Sequence, residues 1–351
     1  MNNTPIEISQ ENKRGSQSTQ IAQQNNYYGM DYQNTKSLCL DLIKDELAIY
    51  RNEAEKIAKE RDEQLLNLFF ERLHNEKLED ATVSQEFKNP DMQYTYIEAQ
   101  KSYIRLGTKE LENILANLLV DRVKETQRTL LQIALNEAIT VVPMLLPEQL
   151  DILALCFKMK YSKCLSVNSI PSFFDYLQNS IYPHVFANNN KDSLYQHLVY
   201  AKTGSIDIGE TSVESIFSHK YGGLFLKGYL EDELQEYPAK YPKLFTKCLQ
   251  NPDKLQINAL SLDVLDTELN IINGLSSTDK TFFKEHFSKN IMSDKEIKDY
   301  ICNKESKYYS LFKLWNDSLL KHLTLTSIGI ILGANRAKQL CNETFDLTIW
   351  I

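Results

Sequence analysis

Asn89-Pro90-Asp91-Met92-Gln93-Tyr94 opens a run that reads as helix after helix as far as Tyr161. Asn89 is a capping residue, Pro90 fits the first helical position, and Asp91 suits the positive end of the helix. Tyr94, Ile97, the Lys101 stem and Ile104 follow at helical spacing, and Gly107 supplies a left-handed stop. Thr108 caps a second helix through Leu111, Ile114, Leu115, Leu118 and Leu119. A third runs through Leu130, Leu131, Ile133, Leu135, Ala138 and Ile139 to Pro143, and Pro147 opens a fourth through Leu150, Leu153 and Phe157. Faces this apolar cannot stand alone in water, so the four helices are expected to form a shared core.

Composition agrees. Apolar residues make up 42% and charged residues 25% of 351 residues, and Gly (11) and Pro (9) are few, which favours helices over sheets. The expected fold class is mainly α, a multi-helix bundle or array. To it are added a small C-terminal strand-helix-strand element and an extended Asn/Gln-rich N-terminal arm. Five regions are expected: the arm at 1–34, a long amphipathic helix at 35–80, a central helical core at 81–202, a second helical region at 203–322, and the strand-helix-strand element at 323–351. Within the second region, helices are expected at 243–250 and 254–273. The closing Leu347-Thr348-Ile349-Trp350-Ile351 is rich in β-formers and reads as a strand, with Trp350 expected to be buried.

The arm differs from everything after it. It crowds Gln17, Gln20, Gln23, Gln24, Asn25 and Asn26 into one window, and no charge stands between Gly15 and Met30. Amide side chains with alternating apolar residues suit stacked strands between copies. The arm is expected to be either a disordered tail, as its polar composition suggests, or self-associating, with Gln17, Thr19, Ile21, Gln23, Asn25, Tyr27 and Tyr28 as the self-association residues. The following helix carries Leu38, Leu42, Leu47, Ala54, Ile57 and Ala58 as a sparse stripe, then Leu65, Leu68, Phe69 and Leu73 as a denser one.

Catalytic patterns do not emerge. The six histidines are scattered without HExxH or paired spacing, and the six cysteines lack a CxxC pair, which argues for reduced thiols and against a zinc knuckle. Gly222-Gly223 lacks the frame of a phosphate loop, and Ser205 after Gly204 fails the GxSxG pattern. Gly329 and Gly333 read as a small-residue face for close helix packing. No catalytic, cofactor-binding or metal residues are assigned, and no cofactor is expected. The net charge of -8 disfavours nucleic acid, although Asn335, Arg336 and Lys338, preceded by Lys298, Lys304, Lys307 and Lys313, would be the residues of a winged element. No apolar run reaches the length of a membrane span, and the opening Met1-Asn2-Asn3-Thr4-Pro5 lacks signal-peptide features, so a cytoplasmic location is expected.

Several stretches resemble an uncharacterised bacterial family. They are Gly15-Ser16-Gln17-Ser18-Thr19-Gln20-Ile21, Asp31-Tyr32, Cys39-Leu40-Asp41-Leu42, Asn89 to Tyr94 with Glu98-Ala99-Gln100-Lys101, Leu131 to Ala138, and Leu325 to Gly329 with Asp346 to Ile351. The family's usual Gly-Asp-Asn-Ser opening is Gly-Ser-Gln-Ser here, which loses an acid. The resemblance implies a bacterial cytoplasmic protein without an assigned activity and carries over no functional residues. Openings of this kind also resemble those of some phage-defence and signalling proteins, where they serve assembly. The expectation is a non-enzymatic oligomeric interaction protein of a defence or stress-response system. It would contact copies of itself and a further protein. A hydrolase or nuclease with a site built from distant residues, or a nucleic-acid-binding regulator, is the rival.

Overall fold

Helices begin where capping side chains satisfy their free N–H groups. In the computed structural model, which describes residues 32–78, 80–185 and 191–351 (side chains from Arg51 on, except 80 and 81), Thr108 and Thr129 accept from the N–H groups of Leu111 and Gln132. Ser261, Ser276 and Ser293 do the same for three later helices. The described chain reads α1 (Tyr32–Asn75), α2 (Asp80–Glu86), α3 (Pro90–Leu106), α4 (Lys109–Lys124), α5 (Leu130–Val141), α6 (Pro147–Cys156), α7 (Ile170–Tyr176) and α8 (Asp192–Tyr200). Then come β1 (Gly204–Ile206), α9 (Val213–Tyr221), α10 (Tyr237–Lys240), β2 (Phe245–Lys247), β3 (Leu255–Ile257), α11 (Leu262–Ile271), α12 (Ser277–Asn290), α13 (Asp294–Lys304), α14 (Tyr309–Asn316), β4 (Leu323–Leu325) and α15 (Ser327–Cys341). The protein is mainly α-helical. The arm residues Gln17, Thr19, Ile21, Gln23, Asn25, Tyr27 and Tyr28 lie outside the described residues.

Two compact units are present, Met1–Lys56 and Ile57–Ile351. In the first, the described part is the start of α1. The second holds the core, in which Leu118, Leu135 and Leu153 are fully buried and Leu131 is 7% exposed, confirming the helical register read for α4 to α6. The dense stripe of α1 enters this core through Leu65, Phe69 and Leu73, whereas Ile57 is exposed. A smaller cluster gathers Leu226, Leu244, Ile257, Leu265, Leu269, Phe283 and Phe287.

The small-residue face of α15 is what lets the main core close. A side-chain carbon on Gly329 would sit 1.9 Å from the Thr203 carbonyl oxygen, and one on Gly333 would sit 2.6 Å from the Leu153 carbonyl oxygen. Backbones approach at both places because nothing stands between them. β4, just ahead of α15, pairs antiparallel with β1, setting Gly204 opposite Leu325 and Ile206 opposite Leu323.

Three expectations are corrected. Residues 243–250 are not a helix: a 3-10 turn at Pro242–Leu244 leads into β2, which pairs with β3, Phe245 opposite Ile257. Helix α11 therefore begins at Leu262 and not near 254, because Leu255-Gln256-Ile257 gains more from its strand partner than from continuing a helical period. The closing strand is a 3-10 turn, Leu347–Ile349. Asp346 fixes it by accepting from both the N–H and the hydroxyl of Thr348, at 3.1 and 2.6 Å. Trp350 is half-buried, donates to the Tyr161 carbonyl at 2.9 Å and meets the Phe157 ring edge-on at 5.1 Å.

Two substitutions test this packing by denaturant unfolding. Leu135→Ala should cost about 2–5 kcal/mol through the cavity it leaves. Gly329→Ala should cost about 1–3 kcal/mol through overpacking, despite the higher helix propensity of alanine.

Candidate functional site

Helix α3 packs by a different face from the one that Tyr94 and Ile97 mark. Asn89 caps it, accepting from the Asp91 N–H at 3.0 Å, and Gly107 ends it at φ 64°. Its buried side chains are Met92, Thr95, Ala99 and Tyr103. Tyr94 (65% exposed) and Ile97 (41% exposed) face water instead. The small Thr95 and Ala99 allow close approach, and polar partners fix the choice: the Thr95 hydroxyl donates to the Asp91 carbonyl at 2.8 Å and lies 3.1 Å from Asn136 Oδ1, while the Tyr103 hydroxyl donates to Gln64 at 2.9 Å. The apolar stripe is left uncovered.

Beneath it lies Arg122, wholly buried. Its guanidinium donates to Asp91 Oδ2 at 2.8 Å, Glu86 Oε2 at 3.2 Å, Asn136 Oδ1 at 2.9 Å and the Glu125 carbonyl at 3.0 Å. Asn136 donates to Asp91 Oδ2 at 3.0 Å. Arg122 above all holds the Asp91 carboxyl below its usual range, outweighing burial. This floor ties α2, α3, α4 and α5 together. Over it is a cavity of 240 Å³ between Asp91, Tyr94 and Glu98 of α3 and Ile133, Glu137 and Thr140 of α5. Further along α3 a second cavity of 260 Å³ is walled by Leu106, Leu111, Val142, Met144, Leu146 and Leu150.

The densest group of reactive side chains is elsewhere, and two π-helical turns build it. Phe157–Tyr161 continues α6 and Leu177–Ile181 continues α7. Such turns are rare and favour functional sites, and here two of them converge. They bring Lys158 onto Ser180 and onto Glu343, and Ser180 also donates to Glu343. Alongside, Cys341 Sγ lies 3.5 Å from His184 Nε2, and His184 Nδ1 lies 3.5 Å from Asp151 Oδ1 without the alignment of a hydrogen bond. Arg336 Nε holds Asp151 at 2.8 Å.

Cysteine, histidine and aspartate in this order have the connectivity of a nucleophilic triad but not its electrostatics. Burial pushes the Cys341 thiol up and the His184 imidazole down, so both are neutral where a reactive pair would be charged. Burial also opposes charge on Asp151, yet His184 and Arg336 hold its carboxyl below the usual range. The cysteine stands at the C-terminal end of α15, where the helix dipole disfavours a thiolate. Nearby, burial lowers the Lys220 amine to about 8, although it donates to the carbonyls of Lys158 at 3.2 Å and Met159 at 2.7 Å. The arrangement ties the two π turns to α15. It is a set of internal struts.

The residues named for a winged element are largely occupied. Asn335 is buried, Arg336 pairs with Asp151, and Lys338 lies 3.4 Å from Glu76. Lys298 sits over the Tyr309 ring at 5.3 Å, and Lys307 pairs with Glu305. No helix among the described residues is long and apolar enough to cross a membrane. Among those residues no three His, Cys, Asp or Glu side chains gather as a metal site, and Cys156, Cys164, Cys248, Cys302 and Cys341 are free thiols.

A family model, described only as "-like" and with no activity stated, matches residues 29–351. The chain belongs to this family. No curated protein and no solved structure matches it. The match begins near the end of the arm and takes in both the α3–α5 surface and the buried cluster. Sequence reasoning missed both: the cluster joins residues from 151 to 343, and the surface hides behind a correct helix with the wrong face turned inward.

His184 sets a pH dependence. Its folded pKa lies below the 6.5 of the unfolded chain. As pH falls through 6.5 the unfolded chain takes a proton that the folded protein refuses, so stability drops, levelling only below the depressed pKa. His184→Gln should flatten that part of the stability–pH curve, leaving the Asp151 contribution at more acid pH. Iodoacetamide labelling followed by mass spectrometry should show Cys341 alkylated more slowly at pH 7.5 than a free cysteine.

Proposed function

We propose that the protein acts through protein–protein contact, as a non-enzymatic subunit that self-associates through its N-terminal region in a bacterial defence or stress-response setting. The observation that carries this reading is the uncovered stripe of α3. A helix that buries Met92, Thr95, Ala99 and Tyr103 on one face leaves two large apolar side chains, Tyr94 and Ile97, facing water on another, where a partner can cover them. Ile133 of α5 (38% exposed), which lines the same cavity as Tyr94, widens the patch. Tyrosine is a frequent anchor of interfaces, since it supplies large area with little rotamer freedom to lose.

The self-association part rests on the arm's charge-free, amide-rich sequence and on α1, a helix of 44 residues. A helix that long suits a coiled-coil-like contact between copies. The Cys341–His184–Asp151 group supports the non-enzymatic part, because His184 Nδ1 makes no hydrogen bond to Asp151 and burial disfavours charge on both the thiol and the imidazole.

Light scattering of the full chain and of a form lacking residues 1–30 tests the assembly. The truncated form should have the lower oligomeric state with an unchanged melting temperature; equal masses would defeat the self-association reading. The stripe has its own test. Tyr94→Ala combined with Ile133→Ala should change stability by no more than about 0.5 kcal/mol, as expected of surface positions, whereas a loss above about 2 kcal/mol would make them core residues.

A further inference from the structure

The two cavities beside α3 follow one another in the same order along both walls. Residues 91–98 of α3 face 133–140 of α5 in the first, and residues 106–114 face 142–150 in the second. Helix α3 runs from one to the other, and Tyr94 and Leu106 are about 18 Å apart along its axis at 1.5 Å per residue. That distance matches three turns of another helix, whose apolar side chains recur on one face at i, i+4, i+7 and i+11. At one end Tyr94 and Ile133 stand at the lip; at the other stand Leu106 (41% exposed), Met144 (45%) and Leu146 (53%). Methionine adapts its shape to different apolar anchors.

Charge decides the polarity of the occupant. Among the cavity-lining residues the carboxylates of Asp91, Glu98, Glu110 and Glu137 stand against one cation, Arg128. Two of the acids are already engaged, since Arg122 and Asn136 hold Asp91 and Lys101 lies 3.1 Å from Glu98. Glu110 and Glu137, set against Arg128, leave the rim with a small acidic excess. A partner with lysine or arginine beside its apolar stripe is favoured, and an acidic one is repelled.

We infer that the two cavities, one between α3 and α5 and the other between the start of α4 and the α5–α6 segment, are the anchor pockets of a receptor for a basic amphipathic helix of a partner protein. This deepens the protein-contact reading and rests on it. The probe is a labelled synthetic peptide of 18 residues with leucine at i, i+4, i+7 and i+11 and lysine at most other positions. Two controls carry glutamate in place of lysine, or the same composition with leucines moved off one face.

Fluorescence anisotropy against the full-length protein should show binding of the leucine–lysine helix, at least tenfold tighter than either control. Glu137→Lys with Glu110→Lys should weaken it about tenfold, and Ile133→Glu, at the lip of the first cavity, should abolish it. Both variants lie at exposed positions, and their melting temperatures are checked first. Equal binding of the scrambled peptide, or indifference to these variants, would reduce the effect to attraction by an acidic surface and overturn the proposal. If no peptide binds but Tyr94→Glu lowers the mass seen by light scattering, the surface joins copies of this chain: the helix receptor falls while the contact reading stands. If no peptide binds and the mass is unmoved, both fall.

Discussion

The close approach of α15 to its neighbours is the constraint on which the rest of the structure depends. Gly333 lies against the Leu153 carbonyl and Gly329 against the Thr203 carbonyl at distances no side chain would permit. Leucines and isoleucines alone would have held these backbones further apart. With α15 seated, Arg336 is carried onto Asp151, and Lys158 onto Glu343 just beyond the helix end. Both pairs are partly or wholly removed from water, and separating them would strand a buried charge at a cost of about 3–5 kcal/mol. Glycine spacing and ion pairing therefore enforce one docking position.

How far sequence predicts such a chain depends on the range of the interaction concerned. The caps at Asn89, Thr108 and Thr129 act within three residues, and the helices begin where those side chains stand. The Leu118–Leu135–Leu153 register was legible for the same reason, since a continuous apolar face has one way in. The face of α3 was not. Bulk and spacing favoured Tyr94 and Ile97, and the outcome turned on Asn136, some forty residues away, offering Thr95 a partner. The β2–β3 hairpin and the final turn likewise follow from a strand partner and an Asp346 side chain that periodicity does not register.

The buried cluster was out of reach on different grounds. Asp151, Lys158, Ser180, His184, Arg336, Cys341 and Glu343 form no local spacing, and the π turns that collect them carry no sequence signature comparable to a cap or a glycine stop. A scan for motifs finds ligands that share a turn of helix; it does not find groups assembled by the docking of α15. The cluster's charges are met from within the chain, leaving little for a substrate to answer.

The α3–α5 surface is organised in the opposite way. Its polar floor is engaged from within, Arg122 holding Asp91, Glu86 and Asn136 at once, which fixes the positions of the Asp91 and Glu86 carboxylates. Its apolar lip is only partly covered, Tyr94 being 65% and Leu146 53% exposed. The polar network beneath the surface is made before anything binds, so a partner would meet backbone walls already held in place and would spend less entropy arranging them. Rigid polar support under uncovered apolar side chains is what recognition of another helix requires, and in the described chain the two occur together along α3.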